Sequence, residues 1–372
     1  MVGYLVFLTI NIGLFALFSL GLNLQWGFAG LINFGHVAFM TLGAYTTILL
    51  SLQGVPLLLA VAAGAGIAAL LGLLIGTSTL RLREDYLAIV TIGTSELIRL
   101  VALNEEWLTR GTFGIQRYPL PLQNFQPNLG GKLGAIAILS VLALWSGWQL
   151  WRSLRQQWRE NRQIRGKSYQ PTKPIGTIIW GCLGATLIVA VYVNSAIAIW
   201  DYNYKAGLML LLLLVLALTY AALEFLTASP WGRILKAIRE DEEIPRALGK
   251  NVFWYKLQAF MLGGAIAGIS GAFFAWQLTT IYPSNFEPII TFYAWTIIVI
   301  GGAGSNAGTL LGAIIFWAYD SLTRFLLPHL GILSDSQLGA LRIVIIGLIL
   351  ILLMMWRPQG ILGKKEELTL GR

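Results

Sequence analysis

The chain is poor in the groups that catalysis and metal binding need. Its 372 residues hold one cysteine, Cys182, and two histidines, His36 and His329. A lone thiol forms no intrachain disulfide, and its place in an apolar run reads as a small buried hydrophobe. The histidines stand far apart, no His-Glu-x-x-His or cysteine pair occurs, and no run holds an acidic cluster suited to a metal. Catalysis and a bound cofactor are therefore not expected. Charge is scarce too: 12% of residues against 56% hydrophobic, too little for an ordinary water-soluble domain. The period-two alternation of barrel strands is absent, which leaves helices, because in hydrocarbon only helices and closed barrels satisfy every backbone polar group. The first residues also lack a charged leader region and a cleavage site, so the opening apolar run is expected to stay as a first span.

What is present is a series of apolar runs of about 20 residues, the length a helix needs to cross ~30 Å of hydrocarbon. They fall at Tyr4–Leu24, Gly35–Leu52, Pro56–Leu80, Tyr86–Leu103, Lys132–Trp151, Pro174–Val193, Ala206–Leu226, Trp254–Trp276, Ile289–Gly301, Thr309–Leu326 and Gly339–Trp356. They predict an all-α, polytopic transmembrane bundle forming one membrane domain over 1–372, with about eleven spans and a range of nine to eleven. The net charge of +9 sits in short segments between runs, which matches retention of Lys and Arg on the cytoplasmic side and gives no reason to invoke nucleic acid. The stretch 152–173 carries Arg152, Arg155, Arg159, Arg162, Arg165, Lys167 and Lys173 against Glu160 alone, and is expected to be a cytoplasmic loop. Threading outward from it places Arg81 and Arg83, the segment 231–250, and the tail with Arg357, Lys364 and Lys365 on the same side. The N-terminus is then outside and the C-terminus cytoplasmic. Trp107, Trp200, Trp231, Trp254 and Trp356 fall near run ends, as interfacial aromatic belts require.

Two glycine-rich breaks interrupt the apolar pattern, WGFAGLINFGH at 26–36 and GGAGSNAGTLLG at 301–312. Unwound backbone at membrane depth is tolerated only against protein or a watery cavity, so such breaks mark a pathway or a close helix packing. Gly304, Gly308 and Gly312 form a small-xxx-small ladder, and Gly72/Gly76 and Gly264/Gly268 repeat its spacing. Candidate path residues are Asn33 and His36 at the first break, and Thr91, Glu96 and Arg99 in the fourth run. Glu96 and Arg99, three apart, and Asp320 and Arg324, four apart, are spaced to neutralise each other. His36 either lines a path or hydrogen-bonds a freed carbonyl. NRQIRGKS at 161–168 ends like a phosphate-binding loop, but Asn161 replaces its first glycine and no strand precedes it.

The segment GRILKAIREDEEIPRALGKN, 232–251, is charged and helix-prone between two apolar runs. Ile234, Leu235 and Ile238 make one apolar face, followed by Arg239, Glu240, Asp241, Glu242 and Glu243. Pro245 is expected to open a second short turn at its first position, and Gly249 to end it.

GLNLQWGFAGLINFGHVAFMTLGAY (21–45), RLREDYLAIVTIGTSELIRLVALNEEWLTRGTFGI (81–115), GRILKAIREDEEIPRALGKNVFWYKLQAFMLGGAIAGISGAFFA (232–275) and GGAGSNAGTLLGAI (301–314) together resemble the LivM-type permease subunits of branched-chain amino acid ABC importers. The resemblance implies a non-catalytic multi-pass subunit of the bacterial inner membrane that takes up neutral or branched-chain amino acids. Its partners would be a second, related permease, two cytoplasmic ATPase subunits, an extracytoplasmic solute-binding protein, and membrane lipid. Urea or short amides are alternative substrates, and an ion-coupled carrier is an alternative of another class. Segment 231–250 then corresponds to the element coupled to the ATPase, through Arg239, Glu240, Asp241, Glu242, Glu243, Pro245 and Gly249. This chain departs from the family in having Ile244-Pro245-Arg246 where an Ala-rich sequence is usual, and Arg110 where glycine is more usual. It also carries a longer segment, 119–205, expected to add a peripheral hairpin around 132–193.

Overall fold

The computed structural model of the chain describes residues 2–80, 84–123, 127–164, 186, 189, 191–200, 204–326, 335–356 and 360–363. Arg81, Arg83, Cys182, His329, the tail basic residues and the stretch from Arg165 to Lys173 lie outside them.

Helix α1 (Val2–Leu22) widens into a π-helical turn, Asn23–Phe28, and an irregular stretch leads to α2 (Val37–Leu52). α3 (Leu57–Thr79), α4 (Glu84–Asn104) and the single turn α5 (Glu106–Thr109) follow, then strand β1 (Ile115–Gln116). Next come α6 (Leu129–Ile164), α7 (Val191–Trp200) and α8 (Tyr204–Ala228). α9 (Pro230–Glu240) and α10 (Glu243–Ala247) precede α11 (Val252–Leu278), strand β2 (Thr280–Ile281), α12 (Ile289–Gly301), α13 (Asn306–Leu326) and α14 (Asp335–Trp356). The all-α expectation holds. Among the described residues six helices are long and apolar enough to cross a bilayer, and seven if α12 and α13, bent by 115° at their junction, are one broken span. Of the eleven expected spans, Ile289–Gly301 and Thr309–Leu326 form that bent pair, α2 has 16 residues, and Pro174–Val193 lies largely outside the described residues.

The chain divides into two compact units, one of Met1–Ile10 with Leu122–Ala217, the other of Asn11–Pro121 with Leu218–Arg372. In the first, α6 and α7 run antiparallel: Lys132 Nζ donates to the Trp200 carbonyl at 2.6 Å, and Ser140 Oγ meets Tyr192 Oη at 3.0 Å eight residues along each. α6 does not stop at Trp151 as the run does. It continues to Ile164, so the first part of the expected loop 152–173 is helix, because Arg, Leu, Gln and Glu favour helix and no glycine or proline intervenes before Gly166.

In the second unit, α11 packs along α2 and α3. A Cβ on Gly43 would collide with the Gly268 carbonyl, and one on Gly72 would lie 3.1 Å from the Met261 Cα, so the three backbones approach more closely than larger side chains allow. The ladder residues Gly308 and Gly312 do the same work against α12, at Gly301 and Ile297. At one end of this unit β1 pairs antiparallel with β2, Ile115 opposite Ile281, and Tyr118 Oη donates to the Ala275 carbonyl at 2.5 Å. At the other end lie α9, α10 and the start of α11.

Candidate functional site

The two glycine-rich breaks meet. Asn23, in the π turn, donates from Nδ2 to Asn306 Oδ1 at 3.3 Å and accepts from the Gly304 amide at 3.0 Å. Asn306 in turn donates to Glu224 Oε1 at 3.2 Å. Trp26 and Trp295 have ring centroids 4.3 Å apart. A Cβ on Gly27 would strike the Gly304 nitrogen and the Asn23 side chain, so glycine is required there by close approach. π-helical turns recur at functional sites because one extra residue frees backbone groups for other partners.

Beyond the π turn, the irregular stretch before α2 is held by a fully buried polar chain. Gln25 Nε2 donates to the Phe260 carbonyl at 2.9 Å, and its Oε1 accepts from Asn33 Nδ2 at 2.8 Å. Asn33 Nδ2 also faces His36 Nδ1 at 3.4 Å, while Asn33 Oδ1 accepts from the Gly35 amide at 2.9 Å. His36 Nε2 lies 3.2 Å from the Phe18 carbonyl. A carbonyl only accepts, so Nε2 carries the hydrogen and Nδ1 receives the amide. Thr91 is buried, and its Oγ1 accepts from the Phe34 amide at 3.2 Å. Thr291 accepts from the Val37 amide at 3.0 Å, at the start of α2, where helix geometry leaves amides without intrahelical partners. Asn33, His36 and Thr91 are thus brought together at the first break, and His36 serves a carbonyl. Glu96 and Arg99 belong to a different part of α4, paired through Arg99 Nε to Glu96 Oε2 at 2.9 Å and Nη2 to Oε1 at 2.5 Å. Asp320 and Arg324 pair likewise at 2.9 Å.

The segment 231–250 forms two helices. In α9, Leu235 and Ile238 are buried and Ile234 half-buried, while Arg233 and Glu240 face outward. Asp241 breaks the helix in extended conformation, and its Oδ1 accepts from the Glu243 amide at 2.8 Å. The second turn begins at Glu243, so Pro245 is its third residue where the sequence suggested the first. Both positions lie in the opening turn, where a missing N–H costs nothing. Gly249, at φ +73°, ends α10: its amide donates to the Arg246 carbonyl and that of Lys250 to the Pro245 carbonyl, both at 3.0 Å. That bond pair defines a Schellman stop.

The acidic residues of this segment are not equivalent. Glu240, Asp241 and Glu243 are exposed, but Glu242 turns back to pair with Lys256, whose side chain is buried in α11. Arg246 adds a weaker contact to Glu242 at 3.8 Å. Arg239 also turns inward, donating to the Gly27 carbonyl in the π turn, and packs its stem on Gly30, at φ +75°. Lys236 lies 5.5 Å from the Phe28 ring centroid. Hydrophobic Ile244 on α10 and Leu248 just past its end, four residues apart, stay 58% and 73% exposed.

Sequence reasoning had passed over Asn23, Gln25, Glu224 and Asn306. The available signal was polarity inside apolar runs, above all the single acid of LLLLLVLALTYAALEFLTA.

The chain matches the profile of the family described as "Branched-chain amino acid transport system / permease component" over residues 4–156 and 160–354. It is 30% identical to the High-affinity branched-chain amino acid transport system permease protein LivM of Escherichia coli (strain K12), over 94% of this chain and 68% of the relative. A Probable branched-chain amino acid transport permease protein LivM of Methanocaldococcus jannaschii is 24% identical over 96% of this chain and 92% of its own length. The Xylose transport system permease protein XylH of Escherichia coli (strain K12) is 29% identical over 54% of this chain and 47% of its own length. No solved structure matches. Taken with the broken, polar-lined helices and the long apolar spans, the profile match over nearly the whole chain places it in the branched-chain amino acid transport system permease component family, as a multi-pass membrane protein.

Proposed function

We propose that the chain is the membrane-spanning subunit of an ATP-driven importer of branched-chain or other neutral amino acids. It forms the translocation path with a second, related permease; two ATPase subunits dock at α9–α10, and a solute-binding protein docks at the β1–β2 end. The termini lie as the basic residues dictate, N outside and C cytoplasmic, in a bacterial inner membrane. The chain itself performs no covalent chemistry. The observation that carries this reading is the contact of Arg239 with the Gly27 carbonyl. It joins a surface helix to the π-helical turn of a buried break, so a displacement of α9 is felt where the backbone departs from a regular α-helix. ATP binding by the partner would favour one arrangement of this pair through its contacts with α9 and α10, and hydrolysis would release it. Glu240, Asp241, Glu243, Ile244 and Leu248 meet the ATPase, whereas Glu242, Pro245 and Gly249 hold the segment in shape. Asn33, His36 and Thr91 set the path at the first break, and Glu96 with Arg99 lines its outer part as a neutral pair.

The test is uptake of labelled leucine by proteoliposomes holding the assembled complex, with unlabelled leucine, alanine, urea and D-xylose as competitors. ATP-dependent uptake competed by leucine and alanine supports the reading. Competition by urea or xylose alone overturns the substrate, and uptake without ATPase subunits overturns the mechanism.

A further inference from the structure

α6 outlasts the hydrocarbon. Its apolar part, Leu129–Gln149, has 21 residues, about 31 Å at 1.5 Å per residue, which matches the core of a bilayer. The helix then runs on to Ile164. Where it leaves the apolar stretch, two tryptophans are each faced by a guanidinium one turn further on: Arg152 stands 5.5 Å from the ring centroid of Trp148, and Arg155 stands 4.1 Å from that of Trp151. Both rings are more than half exposed, and both arginines are exposed. At about 100° per residue, positions 148, 151, 152 and 155 share an arc of about 100°. Positions 159 and 162, also arginine, continue the same arc. Only Glu160 opposes them in α6.

Retention of positive charge on one side of a membrane explains basic residues after a span, but it does not require tryptophans paired to them on one face. Depth supplies the rest of the argument. The Cα atoms of Arg152 and Arg155 lie three and six residues beyond Gln149, so about 4.5 and 9 Å past the hydrocarbon, and each guanidinium reaches back to the tryptophan one turn nearer the apolar part, which draws both charges toward the hydrocarbon edge. The headgroup layer on each side is about 5 to 7 Å thick. Indole rings sit well at that level, and a guanidinium stacked on one keeps its N–H edge free to fork onto phosphate oxygens.

We infer that Trp148, Trp151, Arg152 and Arg155 form a site for the phosphate of an anionic phospholipid headgroup. A soluble protein partner would have to reach into the headgroup layer to occupy it, whereas the lipid is already there. The site does not depend on the transported substrate or on ATPase docking.

Native mass spectrometry of the purified full chain with phosphatidylglycerol or phosphatidylcholine tests it. The chain should retain phosphatidylglycerol in preference, with the preference eroded by salt. The double variant Arg152→Gln/Arg155→Gln should lose roughly 25-fold of that retention, at about fivefold for each basic side chain near an anionic surface, with unchanged circular dichroism and elution volume. Trp148→Ala/Trp151→Ala should weaken it less. Arg233→Gln/Lys250→Gln, which removes the same net charge elsewhere, should leave it within twofold. Equal retention of the two lipids, wild-type retention by Arg152→Gln/Arg155→Gln, or an equal loss in Arg233→Gln/Lys250→Gln would each overturn the site. So would a loss of the co-purifying ATPase subunit when Arg152→Gln/Arg155→Gln is placed in the assembled complex, with phosphatidylglycerol retention by the purified chain unchanged, which would assign the face to a protein.

Discussion

At the scale of single residues, two side chains in the charged segment do work that their neighbours do not. Arg239→Met removes a charged donor from the Gly27 carbonyl. A charge-assisted bond of that kind is worth about 1.5 to 3 kcal/mol, so coupled uptake should fall by roughly tenfold or more, while the ATPase still co-purifies. Loss of uptake that merely tracks loss of assembled complex would count against the joint. Glu242→Lys takes the carboxylate away from buried Lys256 and should destabilise the fold by about 3 kcal/mol, read as a lowered midpoint in intrinsic-fluorescence melting. Glu240→Lys, on an exposed side chain, should shift stability by no more than about 0.5 kcal/mol and weaken ATPase docking instead. If the two reversals behaved alike, the inward turn of Glu242 would have no energetic meaning.

At the scale of elements, the apolar runs gave most helices to within a few residues, since spanning helices carry their own length in their composition. The stop at Gly249 was equally legible, because few residues other than glycine adopt its left-handed backbone cheaply. Gly249→Ala should therefore cost about 1 kcal/mol. Arg110, where the sequence departs from the usual glycine, has φ +59°. Arg110→Gly is expected to match or exceed wild-type stability, and Arg110→Val to fall below it by about 1 kcal/mol, in the same melting measurement. Less was legible where charge and propensity disagreed: the basic residues after Trp151 suggested a loop, although the same residues are good helix formers. The meeting of the breaks was not legible at all. Asn23 and Asn306 are 283 residues apart, and Arg239 is 212 residues from Gly27, and no local spacing encodes such partners. Asn33, His36 and Thr91 were found because polar residues stand out in apolar surroundings, but their bonds belong to the fold.

At the scale of the whole molecule, the proposed orientation makes opposite predictions for two loops. In a Cys182→Ala background, Ile244→Cys on exposed α10 should react with a membrane-impermeant maleimide only from the cytoplasmic side. Gln53→Cys, in the turn between α2 and α3, should react only from outside. Reversed labelling would invert the arrangement of ATPase and binding protein. The small strand pair β1–β2 adds a further consequence. Ile115 and Gln116 are stitched to Ile281 and Thr280 just past the end of α11, so that end of the helix is fastened to the chain that leaves α4. α11 has 27 residues and is about 40 Å long. Under the proposed coupling, a tilt started at its other end, where Lys256 holds Glu242, would pivot on this ribbon, with an amplitude that shrinks toward it.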